Sequence, residues 1–310
     1  MKCVVTGGAG FIGSHLAENL SKNGHEVIVI DNLDTGSCNN IKTFKDSIKF
    51  VKGSILDSAV LAKNFNGCGI VFHLAAVPSV TRSIVNPKAT SEVNIQGTLN
   101  VLLAARDANV RKVVFTSSSS VYGDTPTLPK KESMQPNPKS PYALSKHVGE
   151  QYCRLFSELF GLGTICLRYF NVFGPRQDPK SEYAAVVPKF VTSVINETKP
   201  VIYGDGLQSR DFTYVLNVVK ANVLAAESNI RNGEIINIAC QKSISVNELL
   251  VLINKILGKS VKPEYIGPRK GDIRDSLADI SLARKLIGYE PDYSMEYGLR
   301  QTIEWFKNNT

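Results

Sequence analysis

From residue 1 to about 170, short apolar runs alternate with longer stretches whose apolar positions recur every three or four residues. Residues 2–5, 26–30, 48–51, 70–74, 112–117 and 164–168 read as strands, because unbroken Val- and Ile-rich runs suit strands covered on both faces. Residues 12–23, 91–108 and 141–160 read as amphipathic helices between them. This alternation predicts the α/β class, a doubly wound parallel sheet with helices on both faces. Beyond Asn171 the pattern loosens, and Gly174-Pro175, Asp178-Pro179 and Gly204-Asp205-Gly206 punctuate it. Further helices are predicted at 186–197, 215–227 and 246–257. The expected organisation is a dinucleotide-binding domain over 1–170 and a smaller α/β substrate-binding domain over most of 171–310. Segments near 211–239 are expected to return to the first domain.

Composition changes this picture little. A chain of 310 residues, 43% hydrophobic and 21% charged, has the balance of an ordinary globular protein. No apolar run approaches the roughly 20 residues that span a bilayer, and the first residues meet a Gly-rich turn too soon for a signal peptide. A cytoplasmic location and no membrane contact are the expectations. The six cysteines and four histidines are scattered without a CxxC pair, so no metal site is expected. The net charge of +8 is spread along the chain rather than gathered in a basic block. It suits an anionic small molecule such as a nucleotide diphosphate better than nucleic acid.

The first strand runs into Thr6-Gly7-Gly8-Ala9-Gly10-Phe11-Ile12-Gly13 and then a helix. Glycines here let the backbone turn tightly and approach a pyrophosphate, while the helix start offers free N–H groups and a partial positive charge. Gly7, Gly10 and Gly13 form the cradle, which marks the sheet as Rossmann-type. The second strand ends at Asp31, whose carboxylate accepts hydrogen bonds from a ribose diol and repels a 2′-phosphate. NAD is therefore predicted over NADP.

A second constellation follows the fifth strand: Ser117-Ser118-Ser119-Ser120, then Ser140-Pro141-Tyr142-Ala143-Leu144-Ser145-Lys146. Pro141 suits a helix's first position, and Tyr142 and Lys146 at i and i+4 share one face. A phenol ionises near about 10, so bringing it to about 7 takes roughly 4 kcal/mol of differential stabilisation. The ammonium of Lys146 and a positive nicotinamide ring both favour the phenolate. Tyr142 is thus the candidate base for a sugar hydroxyl, with Ser118 orienting the same hydroxyl.

Together these motifs resemble the extended short-chain dehydrogenase/reductase family, and within it the nucleotide-sugar epimerases. The likeness continues through His73-Leu74-Ala75-Ala76, Asn94, Arg168-Tyr169-Phe170-Asn171, Ser209-Arg210-Asp211 and Arg269-Lys270-Gly271-Asp272. It implies cofactor contacts from Phe11, Ile12, Asn32, Leu74, Ala75, Ala76, Asn94, Ser117 and Tyr169, and has Lys146 hold the nicotinamide ribose. It places Ser79, Ser118, Ser119, Ser120, Asn171, Ala185, Val186, Lys189, Tyr203, Arg210, Arg269, Asp272 and Ser276 around a UDP-sugar, where guanidinium groups grip phosphate bidentately. It also implies a homodimer in which the helices over 91–108 and 141–160 form a four-helix bundle. One departure stands at Gly53-Ser54-Ile55, where many relatives have Gly-Asp-[Ile/Val] with the Asp directed to adenine. Ser54 and Asp57 both stay open as its replacement.

The reaction follows from further likenesses. Family members resembling sugar 4,6-dehydratases carry Thr-Asp-Glu where this chain has Ser118-Ser119-Ser120, and eliminating water needs that acid–base pair. The expectation is therefore a 4-epimerase working through a 4-ketose. Relatives restricted to UDP-glucose and UDP-galactose commonly have a bulky Tyr where Ser276 stands, and Ser or Cys leaves room for a 2-acetamido group. UDP-GlcNAc and UDP-GalNAc are the expected pair, with UDP-Glc and UDP-Gal as further substrates. The alternatives are a UDP-glucuronate 4-epimerase or decarboxylase, and a non-catalytic dinucleotide sensor.

Overall fold

A computed structural model describes residues 1–178, 185–268 and 274–309. Seven parallel strands form the central sheet: β1 (Lys2–Thr6), β2 (Glu26–Asp31), β3 (Lys49–Lys52), β4 (Ile70–His73), β5 (Lys112–Ser118), β6 (Gly163–Tyr169) and β7 (Asn232–Ile238). Their order is β7-β6-β5-β4-β1-β2-β3. The chain first builds outward from β1 through β2 to β3, then crosses to β4 and builds the other way. The switch point lies between β1 and β4, where Thr6 pairs with His73. A crevice opens at the carboxyl ends of strands at such a point, and ligands bind there.

The central strands are buried on both faces, which is why they read as continuous apolar runs. One face carries a core containing Leu16 and Leu20 from the helix Phe11–Lys22 and Val218 from Val215–Glu227. The other carries Leu61, Phe65, Leu102, Cys153 and Phe156. A third cluster gathers Phe190, Leu249, Leu299 and Phe306 from the helices Val186–Ile195, Val246–Leu257 and Met295–Asn309. Ile12, Val172 and Leu216 pack against both this cluster and the first, so the two cores are continuous.

Two features set up the site. The helix Pro141–Phe160 starts where Ser140 Oγ accepts from Ala143 N at 3.1 Å, with Pro141 in the first turn, and ends at Gly161 in the left-handed conformation. The stretch 91–108, expected as one helix, is broken. Residues Pro87–Ser91 are α-helical, Glu92–Gln96 form a π-turn in which Gly97 N–H reaches Glu92 O, and Gly97–Asp107 resume the α-helix. Such turns carry one extra residue and redirect the side chains they hold.

Candidate active site

A cleft of about 1950 Å³ runs along the carboxyl ends of the strands. At one end is the glycine turn. Gly7 has φ 72°, and a Cβ there would lie 2.7 Å from Ala75 N, so only glycine lets the turn close on the segment after β4. Gly10 is the N-cap of the helix Phe11–Lys22 and no side chain caps it, which leaves the first-turn amides at Phe11, Ile12 and Gly13 for an anion. Asp31 is buried at the end of β2; its carboxylate accepts from Ala9 N at 3.0 Å and Leu33 N at 2.8 Å. Burial raises its pKa and those backbone bonds oppose the rise. The carboxylate also lines the cleft, where it can accept from a ribose diol. Asn32, Leu74, Ala75 and Ala76 complete this wall.

At the centre stand Tyr142 and Lys146. Gly149, one turn beyond, has no room for a Cβ, which would meet Phe115 Cζ at 2.3 Å; the helix therefore lies close on β5. That approach lets Lys146 Nζ donate to Thr116 O at 2.7 Å and sit 5.1 Å from the Phe115 ring centroid. Burial draws the Lys146 ammonium down to about 8, against the pull of Glu150 and Cys153. Tyr142 forms part of the cleft wall, its phenol raised by burial and lowered by a hydrogen bond with Ser118. Lys146 Nζ lies 6.0 Å from the Tyr142 ring centroid. In the chain alone, the expected lowering of the phenol is thus outweighed by desolvation.

Beneath Lys146, Glu150 makes a bidentate pair with Arg168, Nε to Oε1 at 2.7 Å and Nη2 to Oε2 at 2.9 Å, with both side chains buried. Ser117 Oγ donates to Glu150 Oε1 at 2.5 Å. The pair ties the helix to β5 and β6, and removing one partner of such a pair typically destabilises by about 3–5 kcal/mol.

The far end is shaped by the segment after β6. Asn171, at φ 34°, donates from Nδ2 to Asp211 O at 3.1 Å and to Ser276 Oγ at 3.3 Å. Ser276 N in turn donates to Ser209 O at 3.1 Å, and Arg210 Nη1 donates to Ser209 O at 2.8 Å. Arg210, Lys189, Tyr203 and Ala185 line the cleft here, and Ser79 and Ser118 to Ser120 line it nearer the centre. Ser120 Oγ is buried without a partner among the described residues.

The model of the NAD dependent epimerase/dehydratase family matches residues 3–239. The chain belongs to that family. A putative UDP-glucose 4-epimerase of Methanocaldococcus jannaschii is 42% identical over 308 residues, 99% of this chain and 98% of the relative. The solved UDP-N-acetylglucosamine 4-epimerase from Methanobrevibacter ruminantium M1, in complex with UDP-N-acetylmuramic acid, is 44% identical with a TM-score of 0.96, covering 100% of this chain and 99% of that one. The UDP-glucuronic acid 4-epimerase from Bacillus cereus, in complex with UDP-glucuronic acid and NAD, is 32% identical with a TM-score of 0.93, covering 100% of both. The protein is an NAD-dependent enzyme of this family, and the uncapped helix start beside the Cβ-intolerant Gly7 and the acceptor Asp31 fit that cofactor.

Within this family member, several expected contacts take another form. Asn94 is buried in the π-turn; it donates to Val77 O at 3.3 Å and to Ser145 Oγ at 3.1 Å, and accepts from Val77 N at 2.8 Å. Both amide hydrogens are used inside the protein, so Asn94 is a strut behind the cleft rather than part of its lining. Ser117 and Tyr169 line the cleft, with the Ser117 hydroxyl donating to Glu150 and the Tyr169 hydroxyl to Asn222 Oδ1 at 2.9 Å. Val186 packs against the third core cluster instead of the cleft, because it opens the apolar face of its helix. Asp57 Oδ1 accepts from Ala59 N at 2.9 Å and Val60 N at 3.2 Å as a helix cap, while Ser54 borders the cleft. Arg269 and Asp272 lie outside the described residues.

The sequence reading missed Arg176 and Gln177 as cleft residues. Arg176 pairs with Glu18 and stacks 5.6 Å from the Phe44 ring centroid, leaving Nη1 buried without a hydrogen bond among the described residues. Gln177 donates to Val172 O at 3.4 Å, and its carbonyl is buried without a partner among the described residues. The only local signal was the Gly174-Pro175 turn just before them.

Proposed function

We propose that the enzyme is a UDP-hexose 4-epimerase that interconverts UDP-GlcNAc and UDP-GalNAc and also takes UDP-Glc and UDP-Gal. The observation that carries the 4-epimerase reading is the wall beside Tyr142. After Ser118, positions 119 and 120 present hydroxyls, and the nearby carboxylate Glu150 is locked to Arg168. Without an acid–base pair there, chemistry at the sugar stops at the 4-ketose.

Tyr142 takes the C4 hydroxyl proton, Ser118 orients that hydroxyl, and Lys146 sets a positive charge behind the phenol. When bound, NAD supplies a hydride acceptor that later gives the hydride back. Once the 4-ketose has turned its other face, Tyr142 returns the proton to the C4 oxygen and the configuration is inverted. The glycine turn and Asp31 hold the cofactor, while Arg210 and Lys189 hold the diphosphate and leave the hexose free to rotate.

The acetamido preference rests on Ser276. Its short side chain is tethered by Asn171, and the Gln177 carbonyl in the same cleft, buried without a partner among the described residues, can accept an amide N–H. Ser276→Tyr is expected to lower kcat/KM for UDP-GlcNAc at least about 10-fold while leaving UDP-Glc within about 3-fold, since the bulk fills only the acetamido space. Equal losses on both substrates would remove the gatekeeper.

The two-fold dimer belongs to the same proposal. Leu144, Leu155, Leu159 and Phe160 are exposed along the helix Pro141–Phe160, and Ile84 and Val85 are exposed on the helix Val80–Val85 that packs beside it. Such an apolar strip suits a self-complementary interface.

A further inference from the structure

His73 is fully buried at the end of β4 and touches no part of the proposed chemistry, yet both its nitrogens are engaged. Nδ1 lies 2.8 Å from Thr6 Oγ1 and Nε2 lies 3.0 Å from Thr98 Oγ1. The proton positions along this chain are determined by its ends. Thr98 Oγ1 is 2.7 Å from Asn94 O, and a carbonyl only accepts, so the single Thr98 hydroxyl proton goes there. Thr98 must then accept from His73, which places a proton on Nε2. Burial, reinforced by the Lys146 charge, holds His73 down to about 3, so the ring is neutral and Nδ1 is an acceptor. Thr6 therefore donates to Nδ1, and its oxygen is left for Ala75 N–H at 3.4 Å. The bonds run in one direction, from Ala75 through Thr6, His73 and Thr98 to the Asn94 carbonyl.

Both ends of the chain are structurally committed. Thr6 precedes Gly7, and Ala75 is the residue against which Gly7 closes. Asn94 sits in the π-turn, grips Val77 at both backbone groups, and donates to Ser145 Oγ, which donates to Tyr142 O at 2.8 Å. We infer that His73, fixed as its Nε2–H tautomer, is a positioning residue that sets the Tyr142 helix against the dinucleotide turn through Thr98 and Asn94. This rests on the reading of Tyr142 as the base. A rigid link of this kind matters because a misplacement of about 1 Å between reacting groups costs on the order of 100-fold in rate.

Histidine labelled with ¹⁵N gives the tautomer directly. His73 is expected as Nε2–H, unchanged between pH 5 and 9 because the ring is buried and both its nitrogens are engaged. A Nδ1–H form or a charged ring would overturn the inference whatever the enzyme's activity. Thr98→Val removes the relay hydroxyl with little change of shape, and kcat on UDP-GlcNAc is expected to fall about 10-fold with KM and bound NAD unchanged. His73→Gln, which retains a donor toward Thr98, should keep most of kcat, whereas His73→Asn should match Thr98→Val. The His73→Asn/Thr98→Val double variant should be no slower than either alone, as expected for two residues in one linkage. A folded Thr98→Val enzyme with the parent kcat, a loss confined to KM or NAD content, or additive losses would each reduce His73 to a core residue. Tyr142→Phe separates the two questions: parent-like turnover there removes the base assignment and leaves the tautomer result standing.

Discussion

Tyr142 and Lys146 share a helix face but answer to different neighbours. The phenol is hydrogen-bonded to Ser118, while the ammonium donates to the Thr116 carbonyl. The lysine's charge is the more fragile of the two, because burial has drawn it to about 8. Lowered from its ordinary value, it is fully protonated only below that pH and is lost as pH rises through it. The kcat/KM of the NAD-loaded enzyme is therefore expected to fall on the alkaline side from about pH 8. Lys146→Arg carries a guanidinium that does not titrate in this range. It should be slower overall, by roughly 100-fold for a general-base site of disturbed geometry, but should lose the alkaline limb. Persistence of the same limb in Lys146→Arg would assign it to another group. That Tyr142, Lys146, Asp31 and the glycines meet in one cleft was legible in the sequence, because their spacing falls in a strand–turn–helix context that fixes where they lie. The part of Asn94 was not, since its partners Val77 and Ser145 lie 17 and 51 residues away.

Among the elements, strands were the most legible, because burial on both faces leaves uninterrupted apolar runs. The π-turn Glu92–Gln96 was hidden, for one inserted residue barely disturbs a helical period across such a short stretch. The helix Met295–Asn309 was overlooked although Leu299, Ile303 and Phe306 sit at i, i+4 and i+7; the intervening residues are strongly polar, which masks a single narrow stripe. Asp57, open as an adenine contact in the sequence, is used instead by the helix Ser58–Phe65 as its cap. The helix Pro141–Phe160 presents one face to the cleft and an apolar strip to the outside, where Leu159 is 68% exposed. If that strip is the dimer seam, Leu159→Lys buries an unpaired charge at it. Sedimentation is expected to give the mass of two chains for the parent and of one chain for Leu159→Lys. A parent that sediments as a single chain would remove the dimer, and an unchanged variant would move the interface elsewhere.

At the scale of the molecule, the reversal of strand order between β1 and β4 decides where everything else goes. It opens the crevice, sets the glycine turn on one side and the Tyr142 helix on the other, and leaves the third core cluster to close the far end. The alternation of strands and helices that builds the central sheet was readable, but the contacts between distant segments were not. Arg176 meets Glu18 across 158 residues, and Ser276 meets Asn171 across 105. The central claim, a base that removes and returns a proton at one carbon, is tested most directly by product analysis. The purified protein, without added NAD, is incubated separately with UDP-GlcNAc, UDP-Glc and UDP-GlcA, alongside Tyr142→Phe, and the products are separated by chromatography. UDP-GalNAc is expected from UDP-GlcNAc and UDP-Gal from UDP-Glc, with no conversion of UDP-GlcA and at least about a 100-fold loss in Tyr142→Phe. No C4 epimer from any substrate even when NAD is supplied, or a Tyr142→Phe protein as active as the parent, would contradict it.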